Sequence, residues 1–253
     1  MTSSFVTIAL ALFVYMNIWF LLAVVLKRND VADIAWGLGF VLMSWAAFLF
    51  SELSARSLLV NVLVTIWGTR LAWHIARRNL RKSEDSRYAV WRASWKHFYL
   101  RSYLQIFMLQ GFFLYIILFP ALFIHASTTQ NLQAIDVVGT VVWIIGFFFE
   151  SVADRQLRDF LRDPANKGTI MDCGLWAYSR HPNYFGEVVQ WWGIFLIALT
   201  LPHGYVTVVG PLLLTFLILF VSGIPMLEKK YAGRSDFEAY KKRTSVFFPL
   251  PRK

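Results

Sequence analysis

Long apolar runs, separated by short polar and mostly basic connections, set the pattern of this chain. Seven runs come close to or exceed the roughly 20 residues a helix needs to cross a bilayer. They lie at 5–26, 31–50, 57–75, 103–125, 135–153, 185–201 and 205–227. The expected fold is therefore all-α, a polytopic membrane protein with seven transmembrane helices. The connections leave no room for a second soluble domain, so residues 1–253 are read as one transmembrane domain. Between the third and fourth runs, Trp91, Trp95, Phe98 and Tyr99 alternate with Lys96 and Arg101. That spacing predicts an amphipathic helix lying at the membrane interface.

Charge gives the runs a direction. Of the 25 Lys and Arg residues, 23 fall in alternate connections and in the tail, one falls in the others, and Arg70 lies inside a span. By the positive-inside rule the N-terminus faces out and the C-terminus faces the cytosol. The net charge of +10 is accounted for by this asymmetry and implies no nucleic-acid partner. The first run is too long for the apolar core of a signal peptide and lacks a basic stretch before it, so it is read as a retained span. Cys173 is the single cysteine, which excludes an intrachain disulfide and a cysteine cluster for zinc. No metal site is expected.

Ionisable residues inside the spans mark the candidate site, because a bilayer disfavours them unless they serve a function. Asp33, Arg70, His74, Glu150, Asp154 and Glu187 all fall at the cytosolic ends of their helices on this map. A single polar cavity open to the cytosol explains that clustering. Trp67, Arg70 and His74 are spaced three and four apart and share one face of the third helix. Glu150, Asp154, Arg158 and Arg162 step by four along the fifth. The basic segment with Arg77, Arg78, Arg81 and Lys82 suits a phosphate, or equally the anionic headgroups of the membrane.

The densest polar motif is Tyr178-Ser-Arg180-His181-Pro-Asn183-Tyr-Phe-Gly-Glu187, running directly into the sixth apolar segment. Pro182 suits the first position of a helix. The N–H groups at that helix start, with Arg180 and His181, form a place to hold phosphate. RHPNYFGE, with Glu150-Ser-Val-Ala-Asp154-Arg-Gln-Leu before it, resembles the signature of the steroid 5α-reductase-like family and its bacterial branch. The wider superfamily also contains sterol reductases and membrane methyltransferases. The resemblance is good from about residue 135 onward.

The resemblance implies an NADPH-dependent oxidoreductase acting on CH–CH groups. Residues 1–125 would form the substrate cavity, and 135–253 would hold NADPH at a site facing the cytosol. Asn183 and Glu187 match the family's Asn and Glu, and Tyr178 its upstream tyrosine. Asp154 and Arg158 match its Asp and Arg, Arg162 is close to a further arginine, and Tyr231 and Tyr240 resemble its tail tyrosines. Arg78 and Arg81 lie near its basic loop. Glu150 stands where the family has an asparagine. Arg180 and His181 complete the expected cofactor set.

The catalytic end departs from the family, which pairs a Gln-Glu dipeptide with a tyrosine. Here Asp33 follows Ala32, and Trp67 stands at the tyrosine position, where indole has no acid function. His74 is the expected proton donor and Arg70 the cation for a developing oxyanion. Asp33 is expected to face both, either as a catalytic partner or as a structural ion pair with Arg70. The activity implied is hydride transfer to an activated C=C bond of a steroid-, isoprenoid- or lipid-like substrate. An S-adenosylmethionine-dependent lipid or isoprenylcysteine-type methyltransferase, or a non-enzymatic lipid-binding protein, is the alternative. The expected setting is a monomer in the bacterial inner membrane, with the bilayer and a hydrophobic small molecule as its partners.

Overall fold

The computed structural model describes residues 2–79, 82–127 and 131–252. Eleven α-helices are present among them: α1 (Thr2–Leu26), α2 (Val31–Leu49), α3 (Ala55–Asn79), α4 (Ser86–Ser94), α5 (Phe98–Ser102), α6 (Leu109–His125), α7 (Ala134–Arg162), α8 (Pro182–Leu199), α9 (Val209–Phe216), α10 (Ile224–Tyr231) and α11 (Ser235–Arg243). No strand occurs among the described residues, and a single isolated bridge joins Ser179 to Ser245. The fold is all-α.

Six segments are long and apolar enough to cross a membrane: Ser4–Leu26, Val31–Leu49, Ala55–Asn79, Phe98–His125, Ala134–Arg162 and Gly204–Tyr231. The chain is thus a multi-pass membrane protein. Its expected sixth span is a helix, α8, but it is not among these six. Pro182, Asn183, Glu187 and Gln190 make its first half polar. The expected interfacial helix is broken: α4 ends at Ser94, Trp95 is extended, and α5 begins at Phe98. Trp91 and Trp95 still stack, at 5.2 Å between ring centroids.

The chain divides into two compact units, residues 1–133 with 198–209, and residues 134–197 with 210–253. In the first unit α2 is central, packed on α1, α3 and α6. On α1, Ile8, Leu12, Met16 and Ala23 form one buried stripe, while Leu10, Phe13, Ile18, Leu21 and Val25 are exposed on its other faces. This inversion of the soluble pattern is what a lipid-facing helix requires. A π-helical turn, Tyr103–Met108, joins α5 to α6. Helices α2 and α3 meet at Gly37 and Gly68, where a Cβ on either residue would lie 2.7 Å from the other's carbonyl oxygen.

The second unit is organised by a closer crossing. Gly139 and Gly146 of α7 meet Gly193 and Gly186 of α8, and any Cβ added there would lie within 2.6 Å of the opposing carbonyl. Small residues at such a repeat let membrane helices approach backbone to backbone. The tail is tied to the segment before α8. The Arg180 N–H donates to Ser245 O at 2.8 Å, Leu250 N–H to Tyr178 O at 3.0 Å, and Ser179 Oγ to Phe247 O at 2.8 Å.

Candidate functional site

In the first unit the polar residues converge on the start of α2. The turn between α1 and α2 buries Asp30, which is 1% exposed. Arg28 donates to both its carboxylate oxygens, at 3.0 and 2.8 Å, and the Asp85 N–H donates to Oδ2 at 3.2 Å. Glu84 closes a second clamp. It accepts from Arg92 at 3.0 and 2.8 Å and from the Asn29 N–H at 2.6 Å, while Arg92 also donates to Lys27 O. Asp85 caps α4 by accepting from the Arg87 N–H. These bonds pin the first turn of α4 to the turn that precedes α2.

The consequence is a tight group around Asp33. Tyr88 Oη donates to Asp33 Oδ1 at 2.6 Å, and Arg87 Nη2 donates to Oδ2 at 3.0 Å. The Asp33 side chain is 15% exposed, and Tyr88 is 3% exposed. Burial, and then the Asp33 charge, push the Tyr88 phenol well above its ordinary 10.0. It is therefore a protonated donor at neutral pH. Burial opposes the Arg87 charge, but the Asp33 and Asp85 carboxylates outweigh it and raise the guanidinium pKa. Burial also acts to raise Asp85, yet hydrogen bonds from Arg87 and the charges of Arg87 and Arg78 hold it below 3.8.

The sequence-predicted partners of Asp33 were Arg70 and His74; the structure supplies Arg87 and Tyr88. Arg70 and His74 are half-buried on α3. Trp67 is core, 1% exposed and edge-on to Phe40 at 5.1 Å. Arg78 is exposed and donates to Asn79. Arg81 lies outside the described residues. Neither Tyr88 nor the buried Asp30 was selected from sequence. The usable signal was Glu84-Asp85, two acids in an otherwise basic segment, with Asp85 in cap position.

In the second unit the α7–α8 crossing positions two amide–carboxylate pairs. Gln190 Nε2 donates to Glu150 Oε2 at 2.5 Å, with both residues buried, and Asn183 Nδ2 donates to Asp154 Oδ1 at 3.1 Å. Gln190 was missed, because a lone Gln in an apolar run carries no periodic signal. The buried Asn183 Oδ1 and Gln190 Oε1 have no hydrogen-bond partner. Glu187 is half-buried one turn beyond Asn183. Arg158 and Arg162 reach Asp159 at 3.2 and 3.8 Å and are 37% and 56% exposed.

Other expected cofactor residues hold the tail. Arg180 donates to Glu228 Oε1 at 2.8 Å and to Thr244 O at 2.7 Å. His181 Nε2 also meets Glu228 Oε1, at 3.2 Å, and its ring stacks on Tyr184. Tyr240, 3% exposed, donates to Trp176 O at 2.5 Å. Tyr231 packs on Phe237, and Arg234 lies over its ring. Tyr178 is exposed. No group of three or more His, Cys, Asp or Glu side chains able to hold a metal occurs among the described residues.

Two curated proteins are similar over part of the chain. The 3-oxo-5-alpha-steroid 4-dehydrogenase 1 of Bos taurus is 34% identical over 113 residues, 44% of this chain and 40% of the bovine protein. The Homo sapiens protein of the same name is 30% identical over 114 residues, 45% of this chain and 40% of the human one. The matched stretch thus spans well under half the length of either relative. No solved structure matches the chain significantly. The family model described as "Protein of unknown function (DUF1295)" matches residues 19–244. The chain is steroid 5α-reductase-like in sequence and belongs to the DUF1295 family.

Proposed function

We propose that the protein is an NADPH-dependent membrane reductase that saturates an activated C=C bond of a hydrophobic substrate. The observation that carries this reading is the hydrogen bond of the buried Tyr88 to the half-buried Asp33, with Arg87 on the second carboxylate oxygen. A carboxyl–phenol pair held beside a cation suits the oxygen of an enone on which negative charge develops. The name of the relatives, 3-oxo-5-alpha-steroid 4-dehydrogenase 1, supports the same class of reaction. In this reading the first unit takes the substrate and the second the cofactor, with the basic segments on the cytosolic side.

NADPH, when bound, supplies the hydride that adds to the β-carbon of the enone. The residues of the second unit fit such a group in kind. The unpartnered Asn183 Oδ1 and Gln190 Oε1 are acceptors suited to a carboxamide N–H. The exposed Arg158 and Arg162 are forked donors suited to a 2′-phosphate. Arg180 is assigned instead to positioning the tail. In the first unit, the Tyr88 hydroxyl, which the free protein directs to the Asp33 carboxylate, turns to donate to the substrate oxygen, while Arg87 stays paired with Asp33. Arg70 and His74 add a cation and a proton source on α3. One proton from the solvent side completes the saturated ketone, so that enone, NADPH and a proton give ketone and NADP⁺.

The test is binding followed by single turnover in detergent-solubilised protein. NADPH is expected to bind more tightly than NADH, and 4-deuterated NADPH to leave one deuterium on the β-carbon of a reduced hydrophobic enone. Binding of S-adenosylmethionine with no binding of either nicotinamide nucleotide would overturn the proposal.

A further inference from the structure

The first unit holds a second buried polar group. Ser44 of α2, Asn61 of α3 and His125 at the end of α6 meet inside the helix packing, at 0%, 0% and 2% exposure. Ser44 lies eleven residues past Asp33 on α2, about 16 Å further along at 1.5 Å per residue. The two groups therefore sit toward opposite ends of that helix, and the reduction proposed above uses none of these three residues. Polar side chains at this depth are costly, so their presence points to a function.

The Asn61 amide, oriented with Oδ1 toward Ser44, sets the roles of the atoms. The single Ser44 hydroxyl proton goes to Asn61 Oδ1, at 2.5 Å. Ser44 Oγ is then an acceptor toward His125 Nε2, at 3.2 Å, so Nε2 carries a proton. In the neutral ring this leaves Nδ1 as a bare lone pair. His125 Nδ1 and Asn61 Nδ2 are both buried without a hydrogen-bond partner. An unfilled buried acceptor of this kind is costly.

His125 also lines a cavity of about 260 Å³. Phe5, Ile8, Ala47 and Leu122 give it apolar walls, and Ser51 and Glu52 add polar atoms. Its volume is just below the roughly 300–1,000 Å³ of ordinary small-molecule sites. We propose that this cavity binds the hydroxyl end of a lipid-soluble alcohol, whose O–H donates to His125 Nδ1. A ketone or an ether has no proton to give that lone pair, and a carboxylate would set a negative charge against it. A hydroxyl is the neutral donor that an apolar body can carry into such walls.

The experiment uses the full chain in lipid nanodiscs with a diazirine-bearing long-chain alcohol, its methyl ether and the matching ketone. The alcohol is expected to label peptides spanning 4–26 and 41–52 saturably. Labelling by ether or ketone should be lower by about tenfold, the factor an ordinary net hydrogen bond gives. His125→Phe should bring alcohol labelling down to the ether level and leave ether labelling unchanged. Equal labelling by all three probes in the unsubstituted protein, or no saturable labelling of those peptides, overturns the proposal. That comparison needs no variant, so a poorly folding His125→Phe protein does not shelter it. Labelling is read without turnover, so the outcome is independent of the reductase reading.

Discussion

Tyr88 Oη and Asp33 Oδ1 lie 2.6 Å apart, although 55 residues separate them in the chain. The short bond exists because Asp30 and Glu84 pin the start of α4 to the turn that opens α2. Tyr88→Phe removes the hydroxyl and keeps the ring that packs edge-on against Trp91. The expected outcome is unchanged NADPH affinity with turnover lower by about 10²–10⁴-fold, the range for loss of a positioned proton donor. Stopped-flow oxidation of bound NADPH in the presence of an enone measures both. Undiminished turnover would remove Tyr88 from the mechanism.

The clamp itself predicts a folding effect. Asp30 is buried and paired with Arg28, and removing one partner of such a pair costs about 3–5 kcal/mol when the other charge is left inside. Arg28 is 24% exposed, so Asp30→Ala is expected near or below the lower end of that range. Hydrogen exchange should show loss of protection concentrated in residues 82–94. Uniform loss across the first unit would mean that Asp30 supports the whole bundle and not the α4 clamp.

Gly186 packs against the backbone of α7. A Cβ there would lie 2.5 Å from Gly146 O and closer still to the Glu150 N. Gly186→Ala should force the helices apart and destabilise the protein by about 1–3 kcal/mol, as overpacking does. The Gln190–Glu150 bond should loosen with it. Thermal unfolding in detergent measures the first effect. A gain in stability would show that the crossing can open at no cost.

Alkaline pH tests the tail latch. Burial raises the Tyr240 phenol above its ordinary 10.0. The folded state therefore keeps this proton where the unfolded state releases it. The contribution to stability is complete below 10.0 and falls away as pH rises above that value toward the folded pKa. Tyr240→Phe is expected to lose about 1 kcal/mol at neutral pH, the net value of one hydrogen bond. It should also show a smaller further loss between pH 9 and pH 11 than the unsubstituted protein. Unfolding temperatures at those pH values decide it.

The choice between nucleotides tests the arginine assignment. Arg158→Gln with Arg162→Gln should weaken NADPH and leave NADH unchanged. Arg180→Gln should instead release the tail from Glu228 and Thr244 and weaken both nucleotides alike. Isothermal titration of the two variants separates the roles, and a selective NADPH loss in Arg180→Gln would reverse them.

Sequence alone determined the helical class and six membrane spans, because a run of apolar residues is a local property that needs no partner. It also determined the family, through RHPNYFGE, and the placing of Glu150, Asp154, Arg158 and Arg162 on one helix, through their spacing of four. The expected sixth span shows the limit of that signal: α8 forms, but Asn183, Glu187 and Gln190 dilute its apolar run. Tertiary structure decided which groups meet. Asp33 has Arg87 and Tyr88 beside it because of a clamp built from Asp30 and Glu84, and that distance is invisible to periodicity. Arg180 reads as a phosphate ligand until Glu228 and the tail carbonyls occupy its donors. Ser44, Asn61 and His125 come from three helices and carry no common motif, and only packing brings a hydroxyl, an amide and an imidazole into one buried group.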